Sequence, residues 1–207
     1  MKGNYNAVAS FYDRLAHLIF GKAIEQAQRF LLKAIPANSK VLIIGGGTGW
    51  ILEALTQLYP TGLLVTYVEI SEKMMRLSKK RKTGENKILF INAPIQEAAL
   101  DEIYDVVLTA FLFDNFSNPT AQAVFEKVHH HLKQKGLWLF TDFQIIENTT
   151  WQKVFLKSMY LFFGLLCNLD TNKLPDVALL FQQYQYKAVT TKNFYGGFIG
   201  SVTYQKQ

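Results

Sequence analysis

Apolar residues along the chain alternate between helical spacing and short continuous runs. Positions three or four apart are apolar up to Ile35, and Pro36 is expected to end this helical segment. Residues 41–44 are an unbroken apolar run, which is typical of a strand buried on both faces. Because helical segments separate successive runs, the pattern predicts a mostly parallel sheet. Further strands are predicted at residues 63–70, 87–92, 104–111 and 137–143.

The pattern changes after residue 143, where a long helix is predicted from about Trp151. A shorter helix at residues 175–183 and two strands, 186–191 and 199–204, follow it. We predict an α/β fold with a seven-stranded, mostly parallel sheet, helices on both faces and an antiparallel strand near the C-terminus. Because no linker-like stretch is visible, a single domain is expected over residues 1–207. Its parts are an N-terminal helical cover (1–36), a core (37–143) and a C-terminal helix and strand hairpin (144–207).

The net charge of +6 raises the question of an anionic partner. Seven basic residues cluster within residues 73–87, and no aromatic residue is interleaved among them. A surface that stacks nucleic-acid bases is therefore not expected, and a solvated helix and loop is the simpler interpretation. Nucleic acid as a partner is disfavoured. The basic residues are Lys73, Arg76, Lys79, Lys80, Arg81, Lys82 and Lys87.

Cysteine content and hydropathy predict a cytoplasmic protein without a transmembrane segment. Cys167 is the only cysteine, so no intramolecular disulfide can form. The first ten residues lack a basic region followed by an apolar run, and the apolar stretch at residues 154–166 is too short to span a bilayer. The run His129-His130-His131 lies in a predicted helix, where adjacent side chains point about 100° apart, so no metal site is predicted.

A glycine-rich loop, Gly45-Gly46-Gly47-Thr48-Gly49, stands between the first buried strand and a helix. Glycines let the backbone turn sharply and let a ligand come close, and the helix N-terminus supplies free N–H groups. The spacing G-x-G-x-G does not match the G-x-G-x-x-G of dinucleotide sites, and no P-loop Gly-Lys-Ser/Thr follows. The alternative is a tight turn without a ligand, but the buried strand before it favours a nucleotide-like ligand at the sheet edge.

Glu69 ends the predicted second strand, 20 residues after Gly49. A carboxylate at this edge can accept two hydrogen bonds from ribose hydroxyls. The alternative is a surface glutamate, but the apolar run at residues 65–68 places Glu69 at the crevice. We therefore predict that Glu69 binds a ribose.

These segments resemble a known family. Residues 41–49, Val-Leu-Ile-Ile-Gly-Gly-Gly-Thr-Gly, and residues 68–71, Val-Glu-Ile-Ser, are similar to motif I and the ribose-binding acid of class I S-adenosylmethionine-dependent methyltransferases. The similarity continues in register to about residue 143, through residues 92–95, 104–108 and 132–138. It implies a Rossmann-like fold, S-adenosyl-L-methionine as cofactor and in-line methyl transfer. The cofactor-binding residues that it implies are Gly45, Gly46, Gly47, Gly49, Glu69, Ile70, Asn92, Ala93, Ile95, Thr109 and Tyr12.

Two positions depart from the family pattern. The family has an acid two positions before the first glycine, where it organises the loop and the cofactor's methionine end, and this chain has Ile43. The turn after the third strand usually carries Asp, and this chain has Asn92, which keeps an acceptor oxygen for the adenine amino group. Ile43 leaves open either weakened cofactor binding or a lineage without catalysis.

The ends of the chain carry a second resemblance. Residues 8–13 with Phe20-Gly21, and residues 196–199, are similar to the ubiquinone/menaquinone C-methyltransferases and their small-molecule relatives. In such relatives an N-terminal helix covers the cofactor, so Tyr5 or Tyr12 is expected near its methionine end. The alternative for Tyr12 is a ring in the core.

The loop after the fourth strand is expected to face the acceptor. Asp114 is the predicted catalytic residue, as a base or as an orienting group, and capping of a turn is an equal alternative. Phe111, Phe113 and Phe116 around it indicate a small, apolar or aromatic acceptor. The helix with Trp151, Phe155, Met159, Phe162 and Phe163 is either the second wall of this site or a core face.

Three other functions remain open. An RNA or protein methyltransferase is favoured only by the basic charge, and salt-sensitive RNA binding would support it. A non-catalytic protein with this fold is compatible with Ile43. An NAD-dependent oxidoreductase is disfavoured by the glycine spacing. The sequence identifies neither the acceptor, nor the methylated atom, nor the oligomeric state.

Overall fold

A seven-stranded sheet forms the centre of the computed structural model, which describes residues 17–146, 149–167 and 173–207. Its strands are β1 (Lys40–Ile44), β2 (Leu64–Val68), β3 (Lys87–Ile91), β4 (Tyr104–Ala110), β5 (Leu132–Phe143), β6 (Lys187–Phe194) and β7 (Ile199–Gln205). The order across the sheet is β3-β2-β1-β4-β5-β7-β6. Strands β1 to β5 are parallel, and β7 pairs antiparallel with β5 and β6.

Helices cover both faces of this sheet. They are α1 (Ala23–Leu32), α2 (Trp50–Leu58), α3 (Glu72–Ser78), α4 (Asn118–His131), α5 (Thr150–Cys167) and α6 (Val177–Gln183). Successive residues of β1 point to opposite faces, so Val41 and Ile43 pack with α1 and α2. Leu42 and Ile44 pack with α4 and α6 on the other face. The predicted fold class is confirmed, including the antiparallel hairpin at the end of the chain.

A third apolar cluster lies where α5 crosses the carboxyl edge of the sheet. Leu156 and Met159 of α5 are buried there with Phe20 and Phe198. Helix α5 has 18 residues and carries Lys153 and Lys157 on its exposed surface. In the part of the chain that the structure describes, no helix is long and apolar enough to cross a membrane.

Residues 132–136 differ from the sequence expectation. The apolar pattern predicts the fifth strand at residues 137–143, with Gly136 ending a helix before it, whereas α4 ends at His131 and β5 already begins at Leu132. A Cβ at Gly136 would lie 2.8 Å from the Lys133 carbonyl oxygen and 3.0 Å from that of Asp105. Gly136 is therefore required for a close approach of backbones inside an irregular strand, and not for a helix end.

Candidate functional site

A cavity of about 990 Å³ opens at the carboxyl edge of the sheet, around the ends of β1, β2 and β4. The strand order reverses between β1 and β4, and open α/β sheets bind their ligands at such a switch point. The cavity has two ends of different character. One, here called the polar end, is formed by the glycine loop and the ends of β2 and β3. The other, the apolar end, is formed by the loop after β4, the end of β5 and helix α5.

The glycine loop has a backbone that side chains would not allow. Gly45, Gly47 and Gly49 have φ values of +68°, +63° and +82°. At Gly46, a Cβ would meet the ring of Tyr67 at 2.2 Å, whereas a Cβ at Gly47 would have no atom within 4 Å. The Tyr67 hydroxyl donates to the Gly47 carbonyl oxygen at 3.0 Å, and this hydrogen bond fixes the loop to β2. Gly45, Gly46 and Gly47 line the cavity, with Gly47 leaving open space above it.

Glu69 lies just after β2 and lines the polar end of the cavity. Its side chain is buried, and its carboxylate accepts from the Gly47 N–H at 2.9 Å and from the Ser71 N–H at 2.7 Å. Burial raises the pKa of Glu69, and the backbone hydrogen bonds from Ser71 and Gly47 partly oppose this rise. Each carboxylate oxygen keeps a further lone pair for a ligand. The predicted glycine loop and the predicted acid thus meet directly.

The turns after β2 and β3 contribute an apolar surface beside Glu69. Ile70, Ala93 and Ile95 all line the cavity, as the sequence led us to expect. Asn92 does not line it. Its side chain is exposed, and its amide nitrogen donates to the carbonyl oxygens of Glu69 and Ile70 at 2.7 and 3.2 Å. In this structure Asn92 therefore braces the β2 turn from outside the cavity.

The apolar end of the cavity is lined by side chains from four separate segments. Phe20 precedes α1, Phe111 follows β4, Phe143 ends β5, and Leu156 with Met159 belongs to α5. The Phe143 ring packs on both Phe20 and Phe111, with ring centroids 5.3 and 4.9 Å apart. Helix α5 is thus a wall of the cavity, through Leu156 and Met159. Trp151 and Phe155 are not among the residues that line it.

Two carboxyl groups lie together at the apolar end. Asp114 lines the cavity, and Asp142 lies behind it, buried at the end of β5. Asp142 accepts from the backbone N–H groups of Phe113 at 3.0 Å and Asp114 at 3.3 Å. Burial, and then the charge of Asp142, raise the pKa of Asp114 well above its usual range. Burial raises the pKa of Asp142 to about 7, and the backbone hydrogen bonds from Phe143 and Phe113 oppose this.

Tyr160 closes the space above the carboxyl pair. Its hydroxyl donates to the Asp114 carbonyl oxygen at 3.0 Å, which ties helix α5 to the loop after β4. Burial raises the pKa of Tyr160, and the nearby charges of Asp114 and Asp142 add to the effect. The Asn115 side chain donates to the Asp114 carboxylate at 2.7 Å. The cavity therefore holds Asp114 in a fixed position, facing an apolar space.

The sequence did not single out three residues of this site. Asp142 and Tyr160 were passed over because a lone Asp in a strand and a Tyr in an apolar helix carry no motif. Gln28 is the third: it lies on α1, is 7% exposed and lines the cavity. A polar residue on the buried face of a helix, three positions before Leu31, was the signal that could have found it.

Other sequence-predicted residues lie elsewhere. Thr109 does not line the cavity, because its buried hydroxyl accepts from the Trp138 indole N–H at 2.9 Å. Tyr5 and Tyr12 lie outside the described residues, as do the side chains of Phe162 and Phe163. His129 contacts the Tyr186 hydroxyl at 3.1 Å in the last turn of α4, and it does not line the cavity. Within the described ranges, no three His, Cys, Asp or Glu side chains are grouped to hold a metal ion.

Comparison with known proteins points to one class. A family model described as "Methyltransferase domain" matches residues 41–136, from β1 into β5. The chain is 28% identical, over 145 residues, to the malonyl-[acyl-carrier protein] O-methyltransferase of Bacillus anthracis, which covers 69% of this chain and 52% of that protein. The chain therefore spans about half the length of this relative. It is 26% identical, over 175 residues, to the ubiquinone/menaquinone biosynthesis C-methyltransferase of Pseudomonas fluorescens, covering 81% and 67% of the two chains.

A solved structure supports the same fold over nearly the whole chain. It is a Burkholderia thailandensis 1,6-didemethyltoxoflavin-N1-methyltransferase with bound 1,6-didemethyltoxoflavin and S-adenosylhomocysteine. The two chains superpose with a TM-score of 0.66 at 14% identity, over 97% of this chain and 85% of the other. The fold and the matched sequence together confirm the predicted resemblance to class I S-adenosylmethionine-dependent methyltransferases.

Proposed function

We propose that this protein is an S-adenosylmethionine-dependent methyltransferase that acts on a small, apolar or aromatic acceptor bearing an ionisable hydroxyl. The observation that carries the proposal is the two-ended cavity. Its polar end has the loop and acid expected for an adenosine group, and its apolar end places a carboxyl, Asp114, against aromatic and aliphatic side chains. A cavity of about 990 Å³ is large enough for a cofactor and a small acceptor together.

The residues at the polar end fit S-adenosylmethionine. Glu69 is in position to accept hydrogen bonds from the ribose hydroxyls, and Gly47 leaves the open space that a closely approaching ligand needs. Ile70, Ala93 and Ile95 offer an apolar surface for the adenine ring. When bound, the cofactor supplies an electrophilic methyl group on a sulfonium. The part of the protein is then to align the acceptor with that methyl group and to exclude water.

The apolar end favours an uncharged acceptor. Asp114 places a carboxyl group at this end of the cavity, and Asp142 adds a second carboxyl group behind it. Arg81 also lines the cavity, but it lies beside the glycine loop and donates to the Thr48 carbonyl oxygen. Two carboxyl groups would repel an acceptor carboxylate such as a malonyl group, whereas they suit a phenol or hydroquinone. We therefore favour an acceptor closer to quinols than to the acyl substrate named for the Bacillus relative.

Asp114 is proposed as the general base. Like charges held close together ionise in separate steps, so the Asp114–Asp142 pair readily carries one negative charge and one proton. A carboxylate with a raised pKa is better matched to removing a phenolic proton than an ordinary aspartate. Asn115 and the Tyr160 hydroxyl hold Asp114 by its carboxylate and its backbone carbonyl, respectively. The acceptor hydroxyl would transfer its proton to the Asp114 carboxylate, which would release that proton to solvent after the product leaves.

The first test is a thermal melt with and without S-adenosylhomocysteine, with NAD as the control ligand. A ligand at 100 times its dissociation constant stabilises the folded state by about 2.7 kcal/mol. For a chain of this length the melting temperature should rise by roughly 5–10 °C. No shift at millimolar S-adenosylhomocysteine would contradict the proposal and favour a non-catalytic protein. A shift with NAD alone would show that the glycine loop binds a dinucleotide.

If S-adenosylhomocysteine raises the melting temperature, the next experiment is a screen of methyl acceptors. Simple phenols, hydroquinones and short-chain acyl acids would be incubated with labelled S-adenosylmethionine, and methylated product would be detected by mass spectrometry. We expect product from phenols or hydroquinones and none from the acids. Product from the acids alone would contradict the acceptor class while leaving the cofactor assignment intact.

A further inference from the structure

Position 43 leaves one end of the expected cofactor without its usual partner. The class carries an acid two residues before the first glycine, and in this chain Ile43 occupies that place. Ile43 lines the cavity, is almost fully buried and packs in the apolar cluster of α1 and α2. The strand therefore offers no carboxylate to the ammonium group at the methionine end of the cofactor.

Gln28 provides a polar group in the cavity that Ile43 also lines. It lies on the same face of α1 as Leu31 and Leu32, which belong to the cluster that contains Ile43. The Gln28 side chain is more than nine-tenths buried and lines the cavity. Among the residues that the structure describes, none forms a hydrogen bond with its side-chain amide. Its amide atoms are not enclosed in the protein interior, so they are open to the cavity and available to a ligand there.

A second polar group lies one turn earlier on the same helix. Glu25 also lines the cavity, at its exposed rim, and residues three apart on a helix are neighbours. An amide both accepts and donates, so Gln28 suits an ammonium and a carboxylate side by side. Glu25 adds the negative charge that Ile43 lacks.

We propose that Gln28, with Glu25 beside it, binds the amino acid end of the cofactor in place of the missing acid at position 43. This inference rests on the proposed function, because it concerns the same cavity. In this chain the amino acid end of the cofactor would therefore be bound by residues of α1 and not by a residue of β1. Gln28 would contact the cofactor directly. Its amide oxygen would accept from the ammonium group, and its amide nitrogen would donate to the carboxylate.

Two ligands that differ only at this end provide the test. S-adenosylhomocysteine has the amino acid group, and 5′-methylthioadenosine lacks it. Calorimetric titration of Gln28→Leu should show an affinity for S-adenosylhomocysteine at least tenfold lower than wild type, since a hydrogen bond to a charged group is worth that much. The affinity for 5′-methylthioadenosine should change less than twofold. Gln26→Leu, an exposed glutamine on the same helix, is the matched control and should leave both affinities unchanged.

A second readout needs no ligand. Because the Gln28 amide forms no hydrogen bond with a described residue, Gln28→Leu removes none, and the melting temperature of the ligand-free variant should not fall below that of wild type. If Leu does not fold there, Gln28→Met keeps the length of the side chain and serves the same purpose. A lower melting temperature together with equal losses for both ligands would overturn the inference, because Gln28 would then be structural. Unchanged binding of S-adenosylhomocysteine would also overturn it. If wild type binds neither ligand, the proposed function itself fails.

Discussion

The two ends of the cavity hold a carboxyl group in opposite ways. At the polar end, Glu69 is surrounded by backbone N–H groups of its own loop and of the glycine loop. At the apolar end, Asp114 faces a second carboxyl, Asp142, and side chains from α5. Burial raises the pKa of both carboxyl groups, but the backbone N–H groups oppose the rise at Glu69, whereas the charge of Asp142 adds to it at Asp114. The difference suggests that one end is built to hold a ligand and the other to exchange a proton.

The largest effect is expected from Asp114→Asn, which tests the role of the apolar end. If Asp114 removes the acceptor proton, kcat should fall by about 10²- to 10⁴-fold, the usual contribution of a general base. The dissociation constant for S-adenosylhomocysteine should stay within about twofold of wild type, because Asp114 lies at the apolar end. Both would be measured on purified protein with a phenol or hydroquinone that the screen identifies.

The control for this variant is Asp101→Asn, an exposed aspartate outside the cavity lining. It should leave kcat unchanged. A near-wild-type kcat for Asp114→Asn, with a large loss for Asp142→Asn, would assign the proton transfer to the buried partner. Wild-type rates for both variants would show that the acceptor needs no base.

The second test, Glu69→Ala, should give the converse result. Loss of two charge-assisted hydrogen bonds to the ribose is expected to weaken S-adenosylhomocysteine binding by about 100-fold or more. Glu72→Ala, a neighbouring exposed glutamate paired with Arg76, is the control and should bind as wild type does. Calorimetric titration measures both. An affinity for Glu69→Ala within a few-fold of wild type would remove the polar end from ribose binding.

The two ends also differ in how far the sequence predicts them. The polar end depends on short stretches of chain, Gly45–Gly49 and Glu69–Ser71, whose residue types determine their backbone geometry. The mostly parallel sheet followed from similarly local signals, because helical segments alternate with the buried apolar runs. These features were predicted from the sequence and are found in the structure.

The apolar end was less predictable because its residues are far apart in the chain. Asp142 and Asp114 are 28 residues apart, and Tyr160 is 46 residues from Asp114. No local sequence pattern predicts that these three residues come together, because their contact depends on how β5 and α5 pack. Thr109 is a different case. The family resemblance implied a cofactor-binding residue there, whereas Thr109 does not line the cavity and its hydroxyl accepts from the buried Trp138 indole N–H.

A smaller effect separates two neighbouring glycines of the polar end. Gly46→Ala should lower the free energy of unfolding by about 2–3 kcal/mol, because the added Cβ overlaps the fully buried Tyr67 ring. Gly47→Ala should cost only about 1 kcal/mol, the strain of a positive φ, because its Cβ meets no atom. Urea unfolding of the two variants measures the difference. Equal losses would mean that the loop tolerates displacement of Tyr67.

The smallest effect concerns how stability changes with pH. Because folding raises the pKa of Asp142 from its ordinary 3.8 to about 7, the folded protein binds more protons than the unfolded chain between these values. Its stabilising contribution is therefore complete below about pH 4 and is lost as the pH rises through 7. One such proton gives a slope of up to about 1.4 kcal/mol per pH unit. The raised pKa of Glu69 acts in the same direction, so only the difference between variants is informative.

Asp142→Asn should flatten this decline between pH 4 and 7, because an amide does not titrate there. It should also lower stability at low pH, since only one of the two side-chain oxygens that accept from backbone N–H groups remains. Urea midpoints of wild type and variant at four or five pH values give the two slopes. Over the same range the kcat of wild type should rise with pH, because Asp114 must be ionised to accept a proton. Stability and activity would then change in opposite directions. If wild type and variant show parallel slopes, Asp142 is ionised throughout, and the contrast between the two ends of the cavity lies in their shape alone.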